Sequence, residues 1–356
     1  MAIQRFRAPG RVNLMGDHTD YNDGFVLPMA IDRECVVAVE EAGGARIRLR
    51  SATEGDVDVA ADGSDDLQAV EPEWGRYPVA LARVLAARGR AAVGIDATVS
   101  STVPIGAGLS SSAALQVVLA LALCAAADLP LAPRELALAC QEAEHRATGV
   151  PCGIMDQLTS VAGVAGAALL IDCRSLAVQT VPLPDDVAVV VVHSGVPRLL
   201  AATAFAARRQ SCEAAARRLG VPALRDASAA EVNDDPLARH VVAENARVLE
   251  TAAALRDGDV TEAGRLFHES HASLRDDFGV STPGLDRLVT ELELAGAFGA
   301  RLTGAGFGGA VVALCSDGSA DAVAADVVRA YRRACGREAT AFRCRAVAGA
   351  GPAAAA

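Results

Sequence analysis

The run Pro104-Ile105-Gly106-Ala107-Gly108-Leu109-Ser110-Ser111-Ser112 divides an alternating segment, residues 95–101, from the longest apolar stretch of the chain, residues 113–127. Alternation predicts a strand, and an apolar stretch broken only by Gln116 predicts a buried helix that starts near Ser111. The stretch is too short to span a bilayer. A strand, a glycine loop and a buried helix in that order restrict the surrounding fold. Small residues let backbone amides come close to an anion, and the first N–H groups of a helix favour phosphate. A serine N-cap after a glycine turn explains the same letters, and the residues alone leave both readings open. Apolar residues make up 52% of the chain but aromatics only 3%, so Ala, Val and Leu must pack such a helix. With 356 residues, two packed domains are expected rather than one core.

Strands are predicted at 36–39 and 47–49 about a Gly43-Gly44 turn, and the acidic residues 53–73 as a surface connection. A helix is predicted at 77–87. Another opens at Pro133, carries Leu136, Cys140, Ala143 and Ala147 on one face, and ends at Gly149 and Pro151. A short helix at 153–161 and a strand at 167–172 follow. Residues 187–193 read as a buried strand, and the stretch before it, 182–186, as a domain boundary. The expected domains are therefore 1–185 and 186–346, with a frayed Ala/Gly tail at 347–356. The second half is predicted helical at 199–219, 237–256, 259–276, 283–296 and 321–335, with strands at 299–302, 310–314 and 339–345. The class is α+β, with no internal repeat.

The net charge of −11 argues against nucleic acid as a partner. Every basic residue apart from histidine is arginine; the sequence contains no lysine. A P-loop needs its lysine on the phosphates and a protein kinase needs its strand lysine, so both machines are excluded. Phosphate transfer by this chain would have to use loop amides, helix ends, arginine and a metal. Nine scattered cysteines without a CxxC pair suit buried thiols in a reducing compartment. With no apolar signal segment or membrane span, the expected location is the cytoplasm.

Three clusters carry candidate chemistry. Asp17, His18, Asp20, Asn22 and Asp23 crowd seven positions between apolar runs, with Arg11 upstream. Turn chemistry accounts for Asn22-Asp23-Gly24 but not for the others, which suit a polyhydroxylated ligand. The glycine loop is the second cluster, and Ser112 offers a hydroxyl to Mg²⁺. The third is EHRATGVPCGIMDQ, where Glu144 edges a buried stripe and Asp156 sits among Ile154, Met155 and Leu158. Carboxylates there are expensive unless paired or metal-bound; one can hold Mg²⁺ while the other takes a proton. Capping or surface roles are the alternative, more so for Glu144 than for Asp156. His268 and His271 lack a third ligand and read as surface polarity. Gly304 to Gly309 reads as close packing against the first domain's site rather than a dinucleotide loop.

GRVNLMGDHTDYNDGFVLPMAI, PIGAGLSSSAAL, AEHRATGVPCGIMDQ and RLTGAGFGG follow one another along the chain, and VVVVHSGVPRLLAATAFAARRQSCE and SHASLRDDFGVSTPGLD lie between the last two. In this order they resemble the GHMP kinases (galacto-, homoserine, mevalonate and phosphomevalonate kinases), and among them the galactokinases, from about Arg7 to Arg345. The resemblance implies a ribosomal-protein-S5-like N-terminal domain, a ferredoxin-like C-terminal domain and a site between them. It implies Asp156 as catalytic base with Arg11 as its partner, and Mg²⁺ on Ser112 and Glu144. Gly106, Ala107, Gly108, Leu109, Ser110, Ser111 and Ser112 would cradle ATP. Asp17, His18, Thr19, Asp20, Gly153 and Phe205 would meet the sugar. Two positions depart from the family: Asp17 stands where Glu is usual, and Phe205 where Tyr is usual. Both belong to the sugar pocket. The implied activity is a sugar 1-kinase making galactose 1-phosphate. A kinase for L-arabinose, galacturonate or an amino sugar is the alternative, and a non-catalytic sugar sensor a further one. The intact serine loop and Asp156 favour an enzyme.

Overall fold

The computed structural model describes residues 3–196 and 201–353. The first half runs β1 (Gln4–Met15), β2 (Phe25–Ala42), β3 (Arg46–Ser51), β4 (Val57–Ala60), α1 (Arg76–Ala86), β5 (Ile95–Ser101), α2 (Ser111–Ala126), α3 (Pro133–Thr148), α4 (Met155–Ala162), β6 (Ala167–Asp172) and β7 (Ala177–Pro182). The second runs β8 (Val187–His193), α5 (Ala201–Leu219), α6 (Pro236–Asp257), α7 (Val260–Asp276), α8 (Pro283–Leu294), β9 (Gly299–Thr303), β10 (Ala310–Ser316), α9 (Ala320–Cys335), β11 (Thr340–Cys344) and β12 (Gly351–Pro352).

Among the described residues there are two sheets. The larger has eight strands, in the order β12-β1-β2-β5-β3-β4, with β6 added to the start of β2 and β7 to β6. Only the β3–β5 pair is parallel. The smaller is the antiparallel sheet β11-β8-β10-β9. Helix α2 is apolar nearly all round, and it lies buried against the sheet and α1, α3 and α4. On α3, Leu136, Cys140, Ala143 and Ala147 are buried, as their spacing predicts. One continuous core takes in α1, α2 and the larger sheet together with Val189, Val191, Val248, Phe267 and Val312 of the second half. The two halves therefore share apolar packing rather than touching only at their rims.

Three expectations are corrected. The strand expected at 36–39 lies in the second half of an eighteen-residue strand that begins at Phe25. The connection at 53–73 contains β4, whose Val57 and Val59 point inward while Asp58 points out, an alternation hidden by the acidic surroundings. The tail is not frayed as far as residue 353. β12 pairs antiparallel with β1, Ala353 donates its N–H to Arg5, and Val347 bonds to Ala30. An edge strand with open N–H and C=O groups accepts even an Ala/Gly segment, because ladder bonds need no side chains. The expected helix start at 199 and the last tail residues, 354–356, lie outside the described residues.

Candidate active site

Strand β1 carries a bulge at Gly10, where the register with β2 shifts between Pro9 and Arg11. A Cβ on Gly10 would fall 2.6 Å from the Leu109 carbonyl, so the glycine lets the 104–112 loop lie directly on the strand. The Arg11 N–H donates to that carbonyl at 3.1 Å. The bulge aims the Arg11 side chain at Asp156, in the first turn of α4. Arg11 Nε is 2.9 Å and Nη2 2.7 Å from Asp156 Oδ1, while Nη1 donates to the Gly108 carbonyl at 2.6 Å. The other carboxylate oxygen, Oδ2, accepts from Ser110 Oγ at 2.5 Å. Ser110 occupies the N-cap position of α2 in a left-handed conformation and makes no capping bond with its side chain. The capping reading of the loop is thus set aside: the hydroxyl is committed to Asp156, and the first N–H groups of α2 have no side-chain acceptor. Gly106, Gly108 and Ser110 alternate in positive φ, a loop form that turns backbone amides inward.

The sugar-cluster residues separate on inspection. Asp20 lies against Gly153, where a Cβ would fall 1.8 Å from Asp20 Oδ2, so any larger residue would push the Asp20 carboxylate aside. Burial, and next the Asp156 charge, push the Asp20 carboxyl up to about 7. Asp17 borders the cavity but is almost wholly enclosed. Its Oδ1 accepts from Gly304 N–H at 2.9 Å, and its Oδ2 sits 2.8 Å from Arg301 Nη2. Burial raises the Asp17 carboxyl despite Arg301. Arg301 also donates to the Leu14 carbonyl (2.9 Å), Glu244 Oε1 (3.0 Å) and Ser270 Oγ (3.0 Å). Glu244 in turn accepts from the Gly16 N–H at 3.0 Å. Burial alone would raise the Glu244 carboxyl, but Arg247 and Arg301 outweigh it and hold it low.

His18 has φ +67° and bonds through both ring nitrogens: Nδ1 with Tyr21 OH at 2.8 Å and Nε2 with the Ala305 carbonyl at 3.2 Å. A carbonyl only accepts, so Nε2 carries the hydrogen and Nδ1 accepts from Tyr21. Burial lowers its pKa to about 3, so the ring is neutral. Thr19 is a correction. Its side chain is buried away from the cavity, with Oγ1 shared between the Gly16 and Phe25 carbonyls at 2.7 and 2.6 Å. It closes the turn and is not among the residues that line the cavity.

Arg11, Asp17, His18, Asp20, Gly106, Gly108, Ser110, Ser111, Ser112, Glu144, Gly153, Asp156 and Phe205 line one cavity of about 350 Å³, with Gly304 and Ala305 from the last glycine loop. Ala107 and Leu109 point their side chains into the core beneath it. Glu144 Oε2 accepts from Gln116 and, at 3.3 Å, from Gln157. Among the described residues it has no ion-pair partner, and burial pushes its carboxyl up to about 7. No described group of three or more His, Cys, Asp or Glu is arranged to chelate a metal. A single uncompensated carboxylate beside the Ser112 hydroxyl nonetheless fits Mg²⁺, which keeps waters and takes its other ligands from phosphates.

A second cavity, of about 480 Å³, adjoins the first through Ser111 and Ser112 and is walled by Trp74, Tyr77, Ile105 and Leu115. The sequence reading missed it; its one signal was the chain's only tryptophan, three residues before a tyrosine at a helix start. It also missed Arg301 and Glu244. His271 is another correction: it is buried, accepts from the Leu302 N–H at Nδ1 (3.3 Å) and donates from Nε2 to Asp286 (3.1 Å). Only His268 is exposed, bonded to Glu293. All nine cysteines are unpaired.

A galactokinase galactose-binding signature matches residues 3–41, the GHMP kinase N-terminal domain matches 76–164 and the GHMP kinase C-terminal domain matches 251–333. A galactokinase of Roseiflexus sp. (strain RS-1) is 49% identical over 360 residues, spanning 97% of this chain and 92% of that protein. The crystal structure of Lactococcus lactis galactokinase complexed with galactose superposes with a TM-score of 0.90 at 29% identity, over 99% of this chain and 95% of that one. Methanococcus jannaschii mevalonate kinase, at 19% identity, shares the fold with a TM-score of 0.71 over 97% and 99%.

Proposed function

The chain belongs to the galactokinase family of the GHMP kinases, and from that premise we propose how its residues carry ATP-dependent phosphorylation of a sugar. The substrate is galactose and the product galactose 1-phosphate. The observation that carries this reading is the Asp156 carboxylate, held by Arg11 and Ser110 at the rim of a glycine loop that opens α2.

A sugar hydroxyl is a weak nucleophile near neutral pH, so it must be oriented and relieved of its proton. Asp156 accepts that proton as the sugar oxygen bonds to the γ-phosphorus and the bond to the bridging oxygen of ADP breaks. Arg11 fixes the carboxylate and offsets charge developing on the phosphoryl oxygens. The loop from Gly106 to Ser112 and the open amides of α2 bind the phosphates. Ser112 and Glu144 would hold Mg²⁺, which when bound would neutralise phosphate charge. Asp20, seated on Gly153, bonds to sugar hydroxyls. The Trp74–Tyr77 cavity takes the nucleoside base, because it opens onto the same two serines. The catalytic cleft lies between the domains we divide near residue 185. Nine unpaired cysteines support a reducing, cytoplasmic setting, and no described helix is long and apolar enough to cross a membrane.

Asp156→Asn tests the reading. The substitution preserves shape and removes the base, which typically costs about 10²–10⁴-fold in rate. Single-turnover phosphoryl transfer to galactose should fall by that order while calorimetry finds ATP binding intact. A variant that keeps most of the wild-type rate would defeat the assignment.

A further inference from the structure

We infer that the C-terminal segment 347–353 is a strap that closes over the end of α4 and thereby sets the position of Asp156 against Arg11. The inference rests on Asp156 being the catalytic base.

Helix α4 has only eight residues and carries Asp156 in its first turn. A helix that short is marginal by itself, and its last carbonyls have no partner within it. The C-terminal segment supplies donors there. Ala350 N–H donates to the Ser160 carbonyl at 2.8 Å, and Gly349 N–H donates to the carbonyl of Gly163, just past the helix, at 2.7 Å. Two glycines permit this contact. A Cβ on Gly349 would fall 2.1 Å from the Val161 carbonyl oxygen, and one on Gly163 would fall 2.5 Å from Ala30 Cβ and 3.0 Å from the Val347 carbonyl oxygen. Backbone lies directly on backbone, which is why an Ala/Gly composition suits this part of the tail.

The segment is fixed on both sides of that contact. Before it, Val347 N–H donates to the Ala30 carbonyl at 3.1 Å, and Ala346 bridges to Ile31. After it, β12 pairs with β1 at Phe6 and Arg7, and the Arg7 guanidinium donates to the Ala348 carbonyl at 3.3 Å. Helix α4 is also fastened to β1 directly, because Ser160 Oγ donates to the Pro9 carbonyl at 2.7 Å. Ser160 stands one turn after Asp156 on the same face of α4, and Pro9 stands two residues before Arg11. One helix thus meets one strand at two points, with the strap over the helix end. Prising the strap away lets α4 shift, and a displacement of about 1 Å at a reacting group can cost about 10²-fold in rate. The phosphate loop is anchored elsewhere, on the Gly10 bulge and the Arg11 N–H, so ATP binding should be spared.

The experiment compares the wild type with Gly349→Val, Gly349→Ala, Gly351→Ala and Asp156→Asn. A Cβ on Gly351 would meet nothing within 4 Å, so Gly351→Ala adds a side chain to the same tail without lifting it from α4. Amide hydrogen exchange over residues 158–163 should be faster in Gly349→Val, with α2 protected as in the wild type. Its kcat for galactose should fall about tenfold or more while KM for ATP stays unchanged. Gly349→Ala, with the smallest side chain, guards against a valine variant that fails to fold and should move both readouts the same way. Gly351→Ala should match the wild type in both. The inference fails if both Gly349 variants keep wild-type exchange over α4, if α2 loosens as much as α4, or if α4 loosens while kcat holds. A rise in KM for ATP that accompanies the fall in kcat would also overturn it, by making the strap part of the general scaffold. Asp156→Asn separates the two readings. A wild-type rate in that variant defeats the base assignment, and this inference with it; a rate lost there but kept in the Gly349 variants defeats the strap alone.

Discussion

At the scale of single residues, Glu144 gives the sharpest test of the metal reading. It has two amide donors and no cationic side chain, so glutamine in its place keeps the bonds to Gln116 and Gln157 possible and removes only the charge. Even outer partners of a metal cost about 10–100-fold in affinity when removed, and a direct ligand should cost no less. Glu144→Gln should therefore raise the Mg²⁺ concentration for half-maximal rate at least about tenfold and leave galactose binding near normal. An unchanged Mg²⁺ titration would return Glu144 to a structural role. Glu144 and Asp156 stood out because carboxylates in apolar surroundings demand a partner, and Asp20 because it crowds a polar loop with Arg11 upstream; all four line one cavity. Thr19 was not legible: a threonine in a polar loop looks the same whether its hydroxyl meets a ligand or two carbonyls. Arg301 carried a signal that was passed over. It is the one charged residue in the strand GARLT, and its five residues are all buried.

At the scale of elements, the sequence placed most helices and strands, left one contact open and misjudged another. The serine at the head of α2 could be a cap or part of a phosphate loop, and its side chain makes no capping bond, which no local pattern distinguishes. His271 read as surface polarity, with Glu269 and Asp276 nearby, yet it faces β9 and α8. There the unfolded chain would titrate near 6.5, while in the fold burial, opposed by Asp286, lowers the pKa to about 4. Between those values the unfolded chain carries a proton that the folded chain lacks. This contribution to stability is therefore present above about 6.5 and is lost as pH falls toward 4. At about 1.4 kcal/mol per pH unit it amounts to roughly 2 kcal/mol by pH 5. His271→Gln removes the titration, so urea unfolding should find that moving from pH 7 to pH 5 costs the variant about 2 kcal/mol less than the wild type. Equal losses would show that His271 is protonated without penalty in the fold. The difference between proteins is the useful quantity, because Asp20 and Glu144, both raised to about 7, oppose the wild-type trend.

At the scale of the whole molecule, the α+β order could be read from sequence, but the clasp between the halves could not, since its members are hundreds of residues apart. Arg301 on β9 reaches the Leu14 carbonyl on β1, Asp17 in the loop after it, Glu244 on α6 and Ser270 on α7. Arg301 and Glu244 are completely buried. Removing one member of such a set leaves an uncompensated charge and typically costs about 3–5 kcal/mol. Arg301→Gln and Glu244→Gln should each lower unfolding free energy by that order. Removing both takes away one charge of each sign, so the double variant should be more stable than the sum of the singles implies by about 1–3 kcal/mol. The same clasp holds the loop that carries Asp17, His18 and Asp20, while the phosphate loop is anchored separately on Gly10 and Arg11. Arg301→Gln should therefore raise KM for galactose several-fold more than KM for ATP. Additive unfolding energies would break the clasp into independent contacts. Equal changes in the two KM values would make Arg301 a part of the general scaffold, with no particular hold on the sugar loop.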